Sequence, residues 1–325
     1  NENMDLQEVT VSLKKAGTQF NLWGMAALFL VLILGTGATW LMAGHVLKPL
    51  KELSSAIEEI SGNDLSNRVE IQGRQDEIGR LARSFNHMMD KVSASFERQK
   101  RFSASAAHEL KTPLTVILAN NNILISHVND TAANQKKWLD STGEEAEHMR
   151  KLIDNMLFLA QGDAGQTPAI QIPVHFSELA WSVLLQFEPI AYEKQIELDS
   201  DIQPGLYIKG DTTQLKQLIH IFLDNGCKYA GQHGQVFLRL FSQQNNVLLC
   251  VRNTGAVIPK EELPHIFERF YRSDKARVRE GGFGLGLAIA KSITESHSGT
   301  ISVESTPETG TKFTVCFARV SSEKS

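Results

Sequence analysis

The sequence predicts a multidomain chain: one membrane-spanning helix, then long helices that pair between two copies, then an α/β sandwich. Three observations predict it. Residues 22–43 carry no charged side chain. Apolar residues then recur at spacings of three and four as far as Leu159, the period of helices that bury one stripe. Beyond residue 174 short alternating segments typical of strands are interleaved with helical ones.

With 325 residues there is room for two or three modules, and the 42% apolar content supplies a core outside any membrane segment. A net charge of −4 gives no support for nucleic-acid binding. Cys227, Cys250 and Cys316 lie far apart and form no CxxC pair. That argues against a zinc site or a disulfide framework and fits a reducing compartment. The first residue is Asn1, not Met, so the natural N-terminus is expected upstream.

The charge-free run is long enough to cross a bilayer core as a helix. Trp23 and Trp40 lie near its ends, where amphipathic rings favour the interface. It is too long for a signal peptide, and no small-residue cleavage site follows. Lys48 and Lys51 follow the span while Glu2, Asp5 and Glu8 precede it, which sets the C-terminal side in the cytoplasm, although Lys14 and Lys15 blur the asymmetry. Residues 1–19 are then an extracytoplasmic remnant and 20–47 the transmembrane helix.

After Pro49, the residues Leu50, Leu53, Ile57 and Ile60 form a helical stripe. Gly62-Asn63-Asp64 breaks it, and a connector runs to Gly73. A second stripe, Ile78, Leu81, Phe85, Met88 and Val92, is a heptad seam that needs a partner helix. The pattern continues through Phe96, Phe102, Leu110, Leu114, Ile117 and Leu118 and stops near Asn129-Asp130. A further helix over 132–161 carries Trp138, Leu139, Met149, Leu152, Ile153, Met156, Leu157 and Leu159. Two such helices make an antiparallel hairpin. One hairpin cannot bury both its faces, so two copies should form a four-helix bundle.

The first hairpin helix has one chemically equipped face. His108 and Thr112 are four apart and lie one above the other, with Glu109 next to the imidazole in sequence. Pro113 removes a backbone donor and should bend the helix there.

Residues 162–173, with Gly165 and Pro168, read as a linker. Helices are then expected over 177–194, 211–230, 260–269 and 285–298. Strands are expected over 195–201, 207–209, 235–242, 246–253, 300–305 and 311–318, the third and fourth as a hairpin. They suggest one sheet covered on one face by helices. Residues 321–325 read as a frayed tail.

Four clusters in this last region suit a phosphate-bearing ligand. In Asp224-Asn225-Gly226-Cys227-Lys228-Tyr229, Asn225 offers an oxygen for Mg²⁺, Lys228 a point charge for phosphate and Tyr229 a flat face for a base. Asn253-Thr254-Gly255 ends a strand. Phe267-Glu268-Arg269-Phe270-Tyr271-Arg272 precedes a charged run to Glu280. Gly281-Gly282-Phe283-Gly284-Leu285-Gly286-Leu287 opens a helix, where backbone N–H groups and the helix N-terminus favour anions.

In this order, downstream of the His108 helix, the clusters resemble the sensor histidine kinases of bacterial two-component systems. HELKTPL resembles the family's H box, DNGCKY its N box, NTG a G1 box, FERFYR an F box and GGFGLGLAI a G2 box. Gly310-Thr311-Lys312-Phe313-Thr314 resembles a G3 box. The resemblance runs from Val46 to the end. No GxxxxGK[ST] motif occurs, as the family's ATP fold leads one to expect.

The resemblance implies a HAMP parallel coiled coil over 48–96, a dimerisation and histidine-phosphotransfer hairpin over 97–163 and a linker over 164–173. A Bergerat-type (GHKL) ATP-binding domain would fill 174–320. ATP and Mg²⁺ are the implied cofactors, with Asn225 as metal ligand. Lys228, Tyr229, Asn253, Gly255, Ile258, Phe267, Gly282, Gly284, Leu285, Gly286, Leu287 and Thr311 would surround the nucleotide. A mobile lid near 272–282 would bring Arg272 and Lys275, with Arg277 and Arg279, over the phosphates. His108 would take the γ-phosphoryl group, Glu109 would orient its imidazole, and an aspartate on a response regulator would receive the group. Thr112 would hold a water for hydrolysis of the regulator's phosphoaspartate. The implied partners are a second copy, that regulator and membrane lipid, but no nucleic acid. The implied location is the bacterial cell membrane, with the kinase domains in the cytoplasm.

The sequence also departs from the family. Asn253 stands where the G1 box usually has Asp, and Val257 stands for its second Gly. Ile221 replaces a second N-box Asn, and Gly226 a common Ala. An Asn amide can flip, so weaker discrimination of ATP from GTP is expected. Three other readings stay open: a phosphatase-dominant sensor, an ATP-gated dimer without histidine phosphorylation, and a non-catalytic scaffold.

Overall fold

The computed structural model describes residues 2–59, 68–69, 77–127, 131–163, 172–255, 257–272 and 282–320. They belong to two units, Asn1–Arg101 and Phe102–Ser325.

In the first unit, helix α1 (Glu2–Glu59) is continuous. Its stretch Leu13–Gly44 is long and apolar enough to cross a membrane, and side chains such as Phe29, Leu30 and Trp40 are exposed along it. The helix runs through Pro49. A proline interrupts one turn's hydrogen bonding, and cooperative helix on both sides carries across. Ile60, Gly62-Asn63-Asp64 and most of the connector lie outside the described residues. Arg68 and Val69 are held by helix α2 (Glu77–Ser126). Asn86 clamps Val69 with two hydrogen bonds, donating to its carbonyl and accepting from its N–H, each at 3.0 Å. Arg68 pairs with Asp90 at 2.8 Å. Leu81, Met88 and Val92 of the expected seam are exposed in the single chain.

The second unit begins within α2. With α3 (Ala132–Asp163) it forms the hairpin, where Asn120 donates to Ser141 Oγ at 3.1 Å. Leu152 and Leu159 are buried, whereas Leu114, Leu118, Ile125, Leu139, Ile153 and Leu157 stay exposed. The hairpin therefore has an apolar face left over, as one hairpin must.

The α/β part follows as β1 (Ile172–His175), α4 (Phe176–Glu193), β2 (Glu197–Ile202), β3 (Tyr207–Gly210), α5 (Thr212–Tyr229), β4 (Gln235–Gln243) and β5 (Asn246–Asn253). It ends with α6 (Gly286–Ser296), β6 (Thr300–Thr306) and β7 (Gly310–Val320). The sheet order is β1-β3-β7-β5-β4-β2, with β6 beside β7. Only the pair of β2 and β4 is parallel among the described strands. One edge of β7 is shared: Gly310 to Cys316 pair with β6, and Arg319 and Val320 with β3. Val236, Leu238 and Leu240 alternate inward on β4, as do Val247, Leu249 and Val251 on β5. With Leu218, Ile219 and Phe222 of α5 they form the core under one face of the sheet.

Two expectations are corrected here. Residues 172 and 173, assigned to the linker, belong to β1, which pairs with β3. Pro173 is tolerated because β1 is an edge strand. The segment 260–269 is a series of turns, not a helix. The N–H groups of Glu262, His265, Glu268 and Tyr271 each donate to the carbonyl three residues back. Pro264 explains this: it has no N–H to donate and keeps Leu263 from helical geometry.

Candidate active site

Helix α5 starts where Asp211 accepts a hydrogen bond from Gln214 N at 3.0 Å. It presents Gln217, His220, Ile221, Asp224, Asn225 and Lys228 to a cavity of about 1010 Å³. Their spacings of three and one place all six along one helical face. The opposite wall is α6 and its entry, from Gly282 through Leu287. No side chain caps α6, so its first-turn N–H groups are available to an anion. Gly284 has φ +69 in this entry, and a Cβ there would come within 2.8 Å of the Tyr271 carbonyl oxygen. Only glycine meets both conditions.

The cavity floor is the end of the sheet. Asn253 and Thr311 face each other across β5 and β7, and both line the cavity. Asn253 is 4% exposed, and its Nδ2 donates to the Thr254 carbonyl at 2.9 Å. Ser305 Oγ lies 2.8 Å from Thr311 Oγ1 and accepts from Ile258 N at 2.9 Å, which ties the loop after β5 to β6. Glu262 also lines the cavity, and its Oε2 is buried with no hydrogen-bond partner.

Charge in the cavity is already partly paired. Lys228 Nζ lies 2.6 Å from Asp224 Oδ2. Desolvation holds the His220 imidazole below its ordinary value, against the opposing charge of Asp224; its ring meets Phe187 edge-on at 4.9 Å. Among the described residues no three His, Cys, Asp or Glu side chains form a ready metal cage. The side-chain oxygen of Asn225 on the cavity wall is the donor type Mg²⁺ takes, an ion that binds through few protein ligands, several waters and substrate phosphates.

Of the residues expected around a nucleotide, the cavity brings together Asn225, Lys228, Tyr229, Asn253, Ile258, Arg272, Gly282, Gly284, Leu285, Gly286, Leu287 and Thr311. Two do not line it. Gly255 has φ +120 and backs against the Tyr229 carbonyl, so its role is the turn. Phe267 packs on the hydrophobic core instead. Lys275, and the lid from residue 273 to 281, lie outside the described residues. His108, Glu109 and Thr112 are also not among the lining residues. His108 is exposed on α2, and Thr112 Oγ1 lies 3.4 Å from its carbonyl. No hydrogen bond joins Glu109 to His108, because neighbouring helical residues point about 100° apart.

The sequence reading missed Lys151, Asp154 and Asn155 of α3, which line the cavity from the hairpin side. It also missed Gln217 and His220, which the period of α5 would have revealed.

Comparison with known proteins agrees with this arrangement. Residues 41–94 match the HAMP domain and 98–165 the His Kinase A (phospho-acceptor) domain. Residues 210–321 match the histidine kinase-, DNA gyrase B- and HSP90-like ATPase family. The sensor histidine kinase CusS of Escherichia coli (strain K12) is 34% identical over 276 residues, 84% of this chain and 56% of that protein. YkoH of Bacillus subtilis is 32% identical over 280 residues, 86% of this chain and 61% of that one. The chain thus spans about 56 to 61% of the length of these curated relatives. The structure of full-length ShkA in complex with AMPPNP is similar with a TM-score of 0.53 at 25% identity, over 69% of this chain and 47% of that one. That of histidine kinase ThkA with response regulator TrrA shares the fold, with a TM-score of 0.54 at 22% identity, over 72% of this chain and 67% of that one. The fold and site define an ATPase domain of the histidine kinase type joined to a phosphoacceptor hairpin. The chain belongs to the sensor histidine kinases of bacterial two-component systems.

Proposed function

We propose that this chain is a membrane sensor kinase that transfers the γ-phosphoryl group of ATP to His108 and then to an aspartate of a response regulator. The observation that carries the reading is the cavity. Four separated sequence clusters converge on it, within the unit that also holds the exposed His108. The neutral imidazole of His108 attacks the γ-phosphorus in line; the N–P bond forms as the bond to the ADP oxygen breaks. For transfer the Glu109 side chain must swing toward the imidazole, a contact it does not make here, to accept from the other ring nitrogen and stabilise the positive charge that grows there. Lys228 and Arg272 offset charge on the phosphate oxygens. Mg²⁺, when bound through Asn225, would supply further charge neutralisation on those oxygens.

His108 lies outside the cavity wall, so transfer requires the ATP-binding domain to shift against the hairpin. Thr112 holds the water that hydrolyses the regulator's phosphoaspartate. Two copies pair through the exposed Leu114, Leu118, Ile125, Leu139, Ile153 and Leu157. The segment Leu13–Gly44 anchors the chain in the lipid of the bacterial cell membrane, with the kinase domains cytoplasmic. The domain division follows: membrane helix 20–47, HAMP 48–96, phosphotransfer hairpin 97–163 and ATP-binding domain 174–320.

The test is incubation of the purified full chain with γ-labelled ATP. Acid-labile label on wild type and none on His108→Gln is the expected result, with nucleotide affinity nearly unchanged in the variant. Label retained by His108→Gln overturns the assignment.

A further inference from the structure

The nucleotide cavity has one wall that the ATP-binding domain does not supply. Lys151, Asp154 and Asn155 come from α3 of the hairpin. The two parts are gripped together nearby. The His148 ring stacks on Phe283 with centroids 4.3 Å apart and 27° between planes. Arg269 Nη2 donates to the Leu159 carbonyl at 3.4 Å, and its guanidinium lies 5.3 Å from the Phe102 ring.

These contacts place Lys151 beside the cavity. Phe283 sits between Gly282 and Gly284, both on the cavity wall at the anion-favouring entry of α6. Lys151 is three residues on from His148, so it lies on the same face of α3. Lys151 and the glycine segment thus line one cavity, and the exposed, flexible Lys151 side chain is free to reach a phosphate held there. The alternative partner for its ammonium is weak. Glu147 is taken by Arg150 at 2.6 and 2.8 Å, and Lys151 reaches it only at 3.9 Å.

We infer that Lys151 is a contact for the nucleotide phosphates supplied by the hairpin, given that the cavity is the nucleotide site proposed above. Bound nucleotide then bridges the ATP-binding domain and α3 in the arrangement that leaves His108 outside the cavity. The occupied site holds the two parts docked, and the charge of Lys151 strengthens that hold.

The experiment is calorimetric titration of the full chain, in detergent, with ATP and separately with adenosine. Lys151→Ala should weaken ATP binding about twofold to fivefold, the loss of one partly exposed charge contact. Adenosine binding should not change, and Lys151→Arg should restore ATP affinity. Wild-type affinity for ATP in Lys151→Ala overturns the inference, as does equal weakening for ATP and adenosine. Failure of wild type itself to bind ATP would instead remove the nucleotide reading.

Discussion

Lys228 Nζ donates to Asp224 Oδ2 at 2.6 Å, and both residues line the same cavity one helical turn apart. A phosphate that recruits Lys228 must compete with this carboxylate. The two side chains are 31% and 39% exposed, so the pair is worth only about 0–1 kcal/mol and phosphate prevails. Asp224→Asn should therefore tighten ATP binding about twofold to fivefold without divalent cation, and Lys228→Ala should weaken it. Titration with EDTA present checks this. Weaker binding by Asp224→Asn would mean that Asp224 assists the nucleotide rather than restraining Lys228.

Asn253 bears on base selectivity. Its Nδ2 is engaged by the Thr254 carbonyl at 2.9 Å, which leaves the side-chain oxygen to meet a ligand. A flip would set that oxygen against the Thr254 oxygen and forfeit about 1 kcal/mol or more. The flip expected from the sequence is thus opposed, and Asn253 should read adenine as an acceptor, as Asp would. Asn253→Asp should change the ratio of ATP to GTP affinity by less than about threefold. Competition of GTP against ATP measures it; a tenfold gain in discrimination would show that the amide does turn.

Thr112 and Thr115 make the same local bond with different strength. Thr115 Oγ1 reaches the Lys111 carbonyl at 2.8 Å, while Thr112 Oγ1 reaches the His108 carbonyl only at 3.4 Å. The Thr112 hydroxyl is the more available to a water. Thr112→Ala should slow regulator dephosphorylation about tenfold or more while autophosphorylation stays within about twofold. Equal losses in the two assays would remove the water-holding role.

Burial pushes the Cys227 thiol up to about 11. Native protein at pH 8 should alkylate at half-buried Cys250 well before Cys227, read by mass spectrometry. The raised value also has a sign for stability. The contribution is fully present below about pH 9 and is lost as pH rises through about 11. Urea unfolding of wild type should fall by roughly 2 kcal/mol more than that of Cys227→Ala over this interval. Parallel pH profiles for the two proteins would discount the shift.

What could be read in advance was what lies close together in sequence. Asn225 and Lys228 share one helix, and Gly282 to Leu287 form one helix entry, so local pattern reveals their common face. Lys151 is more than seventy residues from Asn225, and nothing in its neighbourhood points to a cavity. The strand β1 has four residues, too few for alternation to show. Gly226 sits in a close contact, since a Cβ there would meet Val236 Cγ1 at 3.0 Å. Ile221 packs at the entry of α6, 3.5 Å from where a Cβ on Gly286 would sit. Such contacts are tertiary, and only the folded chain displays them. The turns of 260–269 do have a local signal, the missing N–H of Pro264.

The central place of β7 has a consequence for biosynthesis. It pairs with β5 along one edge and with β6 and β3 along the other. Those neighbours are translated earlier, but none can complete its ladder until Gly310 to Val320 has left the ribosome. On the ribosome, β4 and β5 can zip as a hairpin while β3 waits with an open edge. Such edges are templates for wrong pairing. Nascent chains stalled before residue 310 should therefore be the species that holdase chaperones and proteases recognise, and release of the last strand should end that exposure.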